Sequence, residues 1–308
     1  MQDLQSILNP EQLAAATTVE GPILILAGAG SGKTRVLIHR IEYLINKAGI
    51  DPGNILAVTF TNKAAGEMRE RTAALLGHNV GNIQIGTFHS TCALIIRQES
   101  ESIDLPRNFS IYDSADQLTV IKEVMEDLSI DRKETNPRLF RSVISRSKNS
   151  MLGPLDVAKQ GGYFNELAAE VFSSYASILN QASALDFDDL LLKPLEIFSN
   201  NPEIKEKYRN KYKYILVDEF QDTNKAQFEF LLHLTGESKN LCVVGDDDQS
   251  IYGWRGADIS NILSFEKYFS GTKVYKLEQN YRSTPQILNA AFRVVKNNKK
   301  SEFNRNNL

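Results

Sequence analysis

A chain of 308 residues with 42% apolar and 24% charged residues is long enough for one large domain or two modest ones, and its composition is that of an ordinary soluble globular protein. A net charge of −3 excludes a global positive field for nucleic acid, so any such contact has to come from local patches. The apolar runs fall well short of the roughly 20 residues of a membrane span, and Met1 opens a polar stretch; neither a membrane partner nor a signal peptide is expected. Cys92 and Cys242 lie in apolar surroundings with no second thiol nearby, the pattern of buried free thiols in a reducing compartment, which makes the cytoplasm the expected location.

The first motif in chain order is Leu8-Asn9-Pro10-Glu11-Gln12, where the Gln12 amide offers both a donor and an acceptor to an adenine edge. Ile23 to Leu26 reads as a buried strand, and Ala27, Gly28, Ala29, Gly30, Ser31, Gly32, Lys33 and Thr34 follow as AGAGSGKT. A strand feeding a Gly-rich turn and then a helix lets backbone N–H groups and a helix N-terminus close around phosphates. Lys33 then reaches the terminal phosphates and Thr34 offers its hydroxyl to Mg²⁺. Ala27 stands where the strict motif has glycine, a single departure that leaves the functional end intact.

Helical periodicity over Arg35 to Lys47, a strand over Ile55 to Phe60, the motif TFTNKAAGE at Thr59 to Glu67 and a helix over Ala64 to Leu76 come next. Ile83 to Gly86 predicts a third strand, ended by GTFHS at Gly86 to Ser90. From about Ser114 to Ala184 only helical spacing of apolar residues is found, which predicts a helical insertion. Two basic stretches stand out, Arg132 to Lys148 and Lys205 to Lys213. In the first, Arg138, Arg141, Ser145 and Lys148 fall at spacings of 3, 4 and 3 on one side of a helix, as a solvated face or as a nucleic-acid patch. Asp186, Asp188 and Asp189 lack an accompanying His and are not read as a metal site.

Strands resume at Tyr214 to Val217, which runs into DEFQDT at Asp218 to Thr223. Asp218 can hold the metal or one of its waters, and Glu219 stands where an attacking water needs a base or an orienting group. A helix over Ala226 to Leu234, a strand over Leu241 to Val244, the loop GDDDQSIYGWRGA at Gly245 to Ala257, a strand over Val274 to Leu277 and QNYRST at Gln279 to Thr284 complete the series. The βα alternation predicts a doubly wound α/β fold with a parallel sheet whose ligands gather at the carboxyl ends of the strands. The final KNNKKSEFNRNNL reads as a frayed end.

In the order, spacing and residues of these motifs the chain closely resembles the UvrD, PcrA and Rep family of superfamily 1 DNA helicases over essentially its whole length, GDDDQSIYGWRGA being the most specific stretch. The resemblance implies a RecA-like P-loop parallel sheet with an all-helical inserted subdomain. It divides the chain into a first part of the ATP-binding core over residues 1–113, the insertion over 114–184, the second part of the core over 185–276 and the start of a second motor domain over 277–308. It also implies an ATP-dependent DNA helicase that couples hydrolysis of Mg-ATP to 3′ to 5′ translocation on single-stranded DNA. Its substrates would be single-stranded DNA and single-strand/duplex junctions, and its partners repair or replication proteins.

Residue by residue, the resemblance implies Gln12 as adenine reader, Lys33 and Thr34 at phosphate and metal, Arg35 beside the nucleotide, and Gln249 as γ-phosphate sensor. Tyr281 would stack near the adenine and Arg282 would neutralise charge at the γ-phosphate. Thr59, Thr61 and Asn62 are implied at DNA phosphates; Phe60, His89, Phe187, Tyr252 and Trp254 are implied at bases, aromatic faces being a sequence-tolerant platform. On residue grounds Phe60 reads also as core and His89 as a structural histidine, whereas Trp254 sits between two glycines in a polar loop that no core periodicity explains. His39, His78 and His233 are given no role. Family members continue past QNYRST into the rest of a second motor domain with a second γ-phosphate arginine, so an N-terminal portion of a longer helicase is expected, with impaired turnover by itself. A short non-hydrolysing DNA- or partner-binding module and the helicase part of a helicase-nuclease stay open as alternatives.

Overall fold

A computed structural model describes residues 4–77 and 82–295; His78 and the tail from Lys296 onward lie outside the described residues. In chain order, α1 (Leu4–Ile7) and α2 (Pro10–Thr17) precede β1 (Ile23–Ala27), α3 (Lys33–Asn46), β2 (Ile55–Thr59), α4 (Asn62–Leu76) and β3 (Gln84–Thr87). Next come α5 (Phe88–Gln98), β4 (Ser110–Tyr112), α6 (Ser114–Asp127), α7 (Pro137–Asn149), α8 (Pro154–Ala158), α9 (Tyr163–Gln181), β5 (Ala184–Asp186) and α10 (Phe187–Asn200). The chain then passes through α11 (Pro202–Lys211), β6 (Tyr214–Val217), α12 (Lys225–Leu234), β7 (Leu241–Gly245), α13 (Ser260–Leu263), α14 (Phe265–Tyr268), β8 (Lys273–Leu277) and α15 (Pro285–Val295). These fall into two compact units, one from the described parts of Met1–Phe88, Glu206–Thr223 and Leu231–Leu308, the other from His89–Lys205 and Asn224–Phe230.

The first unit is built on a six-stranded sheet of order β3-β2-β6-β7-β1-β8, every neighbouring pair parallel. Parallel strands covered on both faces need continuous apolar runs rather than alternation, and all four residues of β6 and all five of β7 are buried. Ile23 and Ile25 of β1 join Val36, Leu37, Ile41 and Leu44 of α3 in one apolar core. The chain leaves β1 toward β2 on one side, and β8 adds on the other, which is the arrangement that opens a ligand crevice at the carboxyl ends. Ala27, Thr59, Thr87, Val217 and Gly245 end their strands on that edge.

The second unit is helical between its two short strands. Val120, Ile121, Val124 and Met125 of α6, Phe140 and Ile144 of α7, and Phe172 and Tyr175 of α9 form its core, in the helical spacing visible in the sequence. A parallel ladder of β4 with β5, Ser110 to Tyr112 against Ala184 to Asp186, ties the two ends of the insertion together. Three-residue strands are too short to carry an alternation signal, so the sequence does not reveal them.

Lys148, placed by helical spacing on one basic side of its helix, is instead buried, with its Nζ 2.8 Å from both Asp186 Oδ2 and Asp189 Oδ1. Arg138 stays exposed. Asp186 also caps α10 by accepting from Asp189 N at 2.9 Å, and it receives the Tyr175 hydroxyl at 2.8 Å. Asp186 and Asp189 therefore form a helix cap and share an ion-pair partner. Burial disfavours the Lys148 charge, but the Asp189 and Asp186 carboxylates outweigh it and hold its pKa above the usual value. Burial pushes Asp189 up to about 6. Lys148→Met is expected to strand two buried carboxylates and destabilise this unit by about 3 to 5 kcal/mol. A thermal unfolding midpoint equal to that of the wild type would show that the pair contributes nothing.

Candidate functional site

The turn between β1 and α3 is shaped by two glycines in left-handed backbone, Gly30 at φ +76° and Gly32 at φ +91°. Side chains rarely adopt that conformation, and at Gly30 a Cβ would also lie 2.6 Å from Arg282 Cβ. Ser31, buried, closes the loop by donating its hydroxyl to Gly28 O at 2.7 Å. Gly32 precedes the first turn of α3 with no side chain capping it, so the N–H groups of that turn point to the same edge as the strand ends.

Lys33 and Glu219 are 186 positions apart in sequence, yet Lys33 Nζ donates to Glu219 Oε2 at 2.7 Å. Thr34 Oγ1 donates to Asp218 Oδ2 at 3.3 Å. The pairing of β6 beside β7, with β1 on the far side of β7, brings the two motifs to one edge. Burial, with Glu219 adding to it, pushes the Asp218 carboxyl up to about 6, and the same two causes push Asp222 up to about 6. A cation at this point would reverse that shift, and a hydroxyl beside a carboxylate is a hard-oxygen pair that suits Mg²⁺. Glu219 itself sits at φ +51°, an uncommon backbone for a residue with a side chain.

Gln12 is buried on α2, and both ends of its amide are engaged: Oε1 accepts from Asn9 N at 3.2 Å and Nε2 donates to Ser31 O at 2.9 Å. Base reading by Gln12 requires exchange of these partners. Arg35 is exposed and donates to Ile7 O at 2.8 Å. Gln249 Nε2 donates to Asp246 Oδ2. Tyr281 N donates to Gly30 O at 2.9 Å, its hydroxyl accepts from Asn9 Nδ2 at 3.0 Å, and Arg282 is exposed beside it.

Three further polar residues at this edge have no assigned role on sequence grounds. Asn280 Oδ1 accepts from Arg282 N and Ser283 N, each at 2.9 Å, and its Nδ2 donates to Ala29 O, so it seats the QNYRST turn on the phosphate loop. Gln221 donates to Glu219 Oε2 at 2.9 Å, and buried Asp222 lies next to it. Each belongs to a motif that stands out in the sequence; the motif is the signal, and only the contacts separate its members. Asp246, Asp247 and Asp248 also bring carboxylate oxygens within 4.8 Å of one another, at the end of β7.

Of the residues implied at DNA, Thr59 is buried at the end of β2 with its hydroxyl on Thr61 O at 3.1 Å, and Thr61 caps α4 through Ala64 N at 3.1 Å. Asn62 is exposed at the start of that helix, and Phe60, half-buried, packs edge-on against Phe88 with ring centroids 5.9 Å apart. Tyr252 and Trp254 share one loop, their centroids 6.5 Å apart, with Trp254 75% exposed. In the second unit His89 and the exposed Phe187 meet edge-on at 5.9 Å, and burial lowers the His89 pKa, favouring a neutral ring. Cys92 and Cys242 are buried free thiols. Among the described residues no helix is long and apolar enough to cross a membrane.

A parallel sheet with a Gly-rich loop opening a helix at its carboxyl edge, faced by two acidic residues from a neighbouring motif, defines a RecA-like P-loop protein. Within that class the chain belongs to the UvrD/REP helicase family, whose N-terminal domain model matches residues 8–270. It is 52% identical over 299 residues to the ATP-dependent DNA helicase PcrA of Staphylococcus aureus (strain Mu50), covering 97% of this chain and 41% of that protein. Against PcrA of Bacillus subtilis (strain 168) it is 51% identical over 296 residues, covering 96% and 40%. Against a Staphylococcus epidermidis PcrA it is 51% identical over 299 residues, covering 97% and 41%. The chain thus spans about two fifths of the length of these relatives.

Proposed function

We propose that this chain forms the ATP-binding motor region of a DNA helicase that moves 3′ to 5′ along single-stranded DNA and opens duplexes, in cytoplasmic DNA repair or replication. The observation that carries the reading is the meeting of Lys33 with Glu219 and of Thr34 with Asp218 at the carboxyl edge of the sheet. In this reading the core is made by residues 1–113 and 185–276, the insertion by 114–184, and residues 277–308 begin a second motor domain.

When ATP binds, N–H groups of the Gly28 to Lys33 turn receive its phosphates, and Lys33 turns from Glu219 to the terminal phosphate. Thr34 and Asp218 would hold Mg²⁺, which would supply charge neutralisation at the phosphate oxygens. Glu219, released from Lys33, orients the attacking water and accepts its proton. Gln249 senses the γ-phosphate, and Arg282 adds a permanent positive charge at it. Tyr281 stacks near the adenine and Arg35 lies beside the nucleotide, with Gln12 reading the adenine edge. Phe60, His89, Phe187, Tyr252 and Trp254 offer stacking faces to single-stranded DNA, and Thr59, Thr61 and Asn62 hold its phosphates.

Steady-state ATPase of the chain extended through the second motor domain, measured with and without single-stranded DNA, tests the reading; a rate that DNA does not raise would sink the motor assignment. Trp254→Ala is expected to weaken single-stranded DNA binding by roughly 1 to 3 kcal/mol, the worth of one stacked base. Fluorescence anisotropy with a labelled oligonucleotide reads this, and an unchanged affinity would remove Trp254 from the DNA track.

A further inference from the structure

Gln221 follows the two acidic residues of the nucleotide site and is buried, with 1% of its surface exposed. Both ends of its amide are engaged. Nε2 donates to Glu219 Oε2 at 2.9 Å, and more weakly to Asp222 Oδ2 at 3.4 Å, while Oε1 accepts from Asp246 N at 3.0 Å. Its backbone carbonyl accepts from Ser250 Oγ at 3.3 Å. The approach is so close that a Cβ on Gly245 would fall 2.7 Å from Gln221 Oε1 and 2.8 Å from Ile262 Cδ1, so a side chain at that end of β7 would push the Gln221 amide aside. Asp246 accepts in turn from Gln249 Nε2. A continuous line of hydrogen-bonded groups thus runs from Glu219 through Gln221 to Asp246 and Gln249, at the head of the loop that exposes Tyr252 and Trp254.

We infer that Gln221 is a positioning residue that aims the Glu219 carboxylate and couples it to the loop carrying Gln249, Tyr252 and Trp254. This rests on the triphosphatase reading above. Glu219 Oε2 is shared by Lys33 Nζ and Gln221 Nε2. Once Lys33 turns to a phosphate, Gln221 is the partner that keeps Glu219, at its uncommon backbone angle, from swinging away. A neutral amide suits this role because it fixes the carboxylate without the strong loss of basicity that a second cation would bring. The same amide grips the Asp246 backbone, so a displacement of Gln249 on meeting a γ-phosphate is felt at Glu219, and a displacement of Glu219 is felt in the loop.

Trp254 is the single tryptophan of the chain, so its intrinsic fluorescence reports on that loop directly. Wild type, Gln221→Met and Gln221→Glu are titrated with a non-hydrolysable ATP analogue in Mg²⁺ while Trp254 emission is followed, and each is then assayed for single-turnover ATP hydrolysis. The expected result is comparable analogue affinity in all three and a Trp254 response in the wild type that Gln221→Met loses. Hydrolysis by Gln221→Met falls by about 10- to 100-fold, the range for one lost hydrogen bond to a charged group. Gln221→Glu keeps the side-chain volume and the acceptor for Asp246 N but sets a carboxylate oxygen against Glu219. It is expected to hydrolyse at least as slowly, and it carries the test if the methionine variant does not fold. Folded variants with wild-type hydrolysis and a wild-type Trp254 response overturn the role of Gln221 alone. A hydrolysis loss matched by an equal loss of analogue affinity also overturns it, because it makes Gln221 general packing for the site. A wild-type chain that does not bind the analogue overturns the triphosphatase reading itself.

Discussion

Lys33→Ala is expected to lower single-turnover ATP hydrolysis by about 10²- to 10³-fold, the range measured when one preorganised donor to a developing negative charge is removed. Nucleotide affinity should fall as well, by about 10- to 100-fold, because a charge-assisted contact to phosphate is lost. The structure adds a second consequence. Lys33 Nζ lies 2.7 Å from Glu219 Oε2, and Asp218 and Asp222 are already pushed up by burial and by the Glu219 charge. Without the lysine this acidic cluster loses the cation that lowers both of those carboxyls, and it repels an incoming polyphosphate. Calorimetry with Mg-ATP reads the affinity and rapid quench the rate; equal affinities for wild type and variant would refute the phosphate-loop assignment.

Glu219→Gln should separate binding from chemistry. The amide keeps the size of the side chain and can still accept from Lys33 Nζ and Gln221 Nε2, whose distances to Glu219 Oε2 are 2.7 and 2.9 Å. It cannot accept a proton from water. Hydrolysis is expected to fall by about 10²- to 10⁴-fold, the usual contribution of a positioned general base. ATP affinity should hold or rise, since one negative charge beside Asp218 is gone and Lys33 is released more easily to the phosphate. A variant that hydrolyses ATP at the wild-type rate would show that Glu219 neither orients nor deprotonates the water. A variant that loses affinity as Lys33→Ala does would place its role in binding.

The two substitutions act on opposite ends of one ion pair and are expected to diverge in affinity while agreeing in turnover. Residues in contact do not contribute additively, so the double variant is expected to lose less than the product of the two single losses.

Composition and pattern alone determined the α/β class and the six sheet strands to within a residue or so, and they marked the contiguous motifs. The reason is physical: a parallel strand covered on both faces must be an unbroken apolar run, as Tyr214 to Val217 and Leu241 to Val244 are, and a phosphate cradle needs its glycines and lysine consecutive in the chain. The strands β4 and β5 escape such a reading because three residues carry no period. Lys148 is misplaced by it because helical spacing says which residues share a face but not what that face meets; Asp186 and Asp189, brought against it by α10, turn a basic stripe into a buried pair. Only the tertiary structure decided which carboxylate faces Lys33, that Asn280 seats its turn on Ala29, and that Gln221 joins Glu219 to Asp246. Those contacts link residues whose order along the chain carries no trace of the strand order β3-β2-β6-β7-β1-β8, and it is that order, set by how apolar faces pack, that brings them within hydrogen-bonding distance.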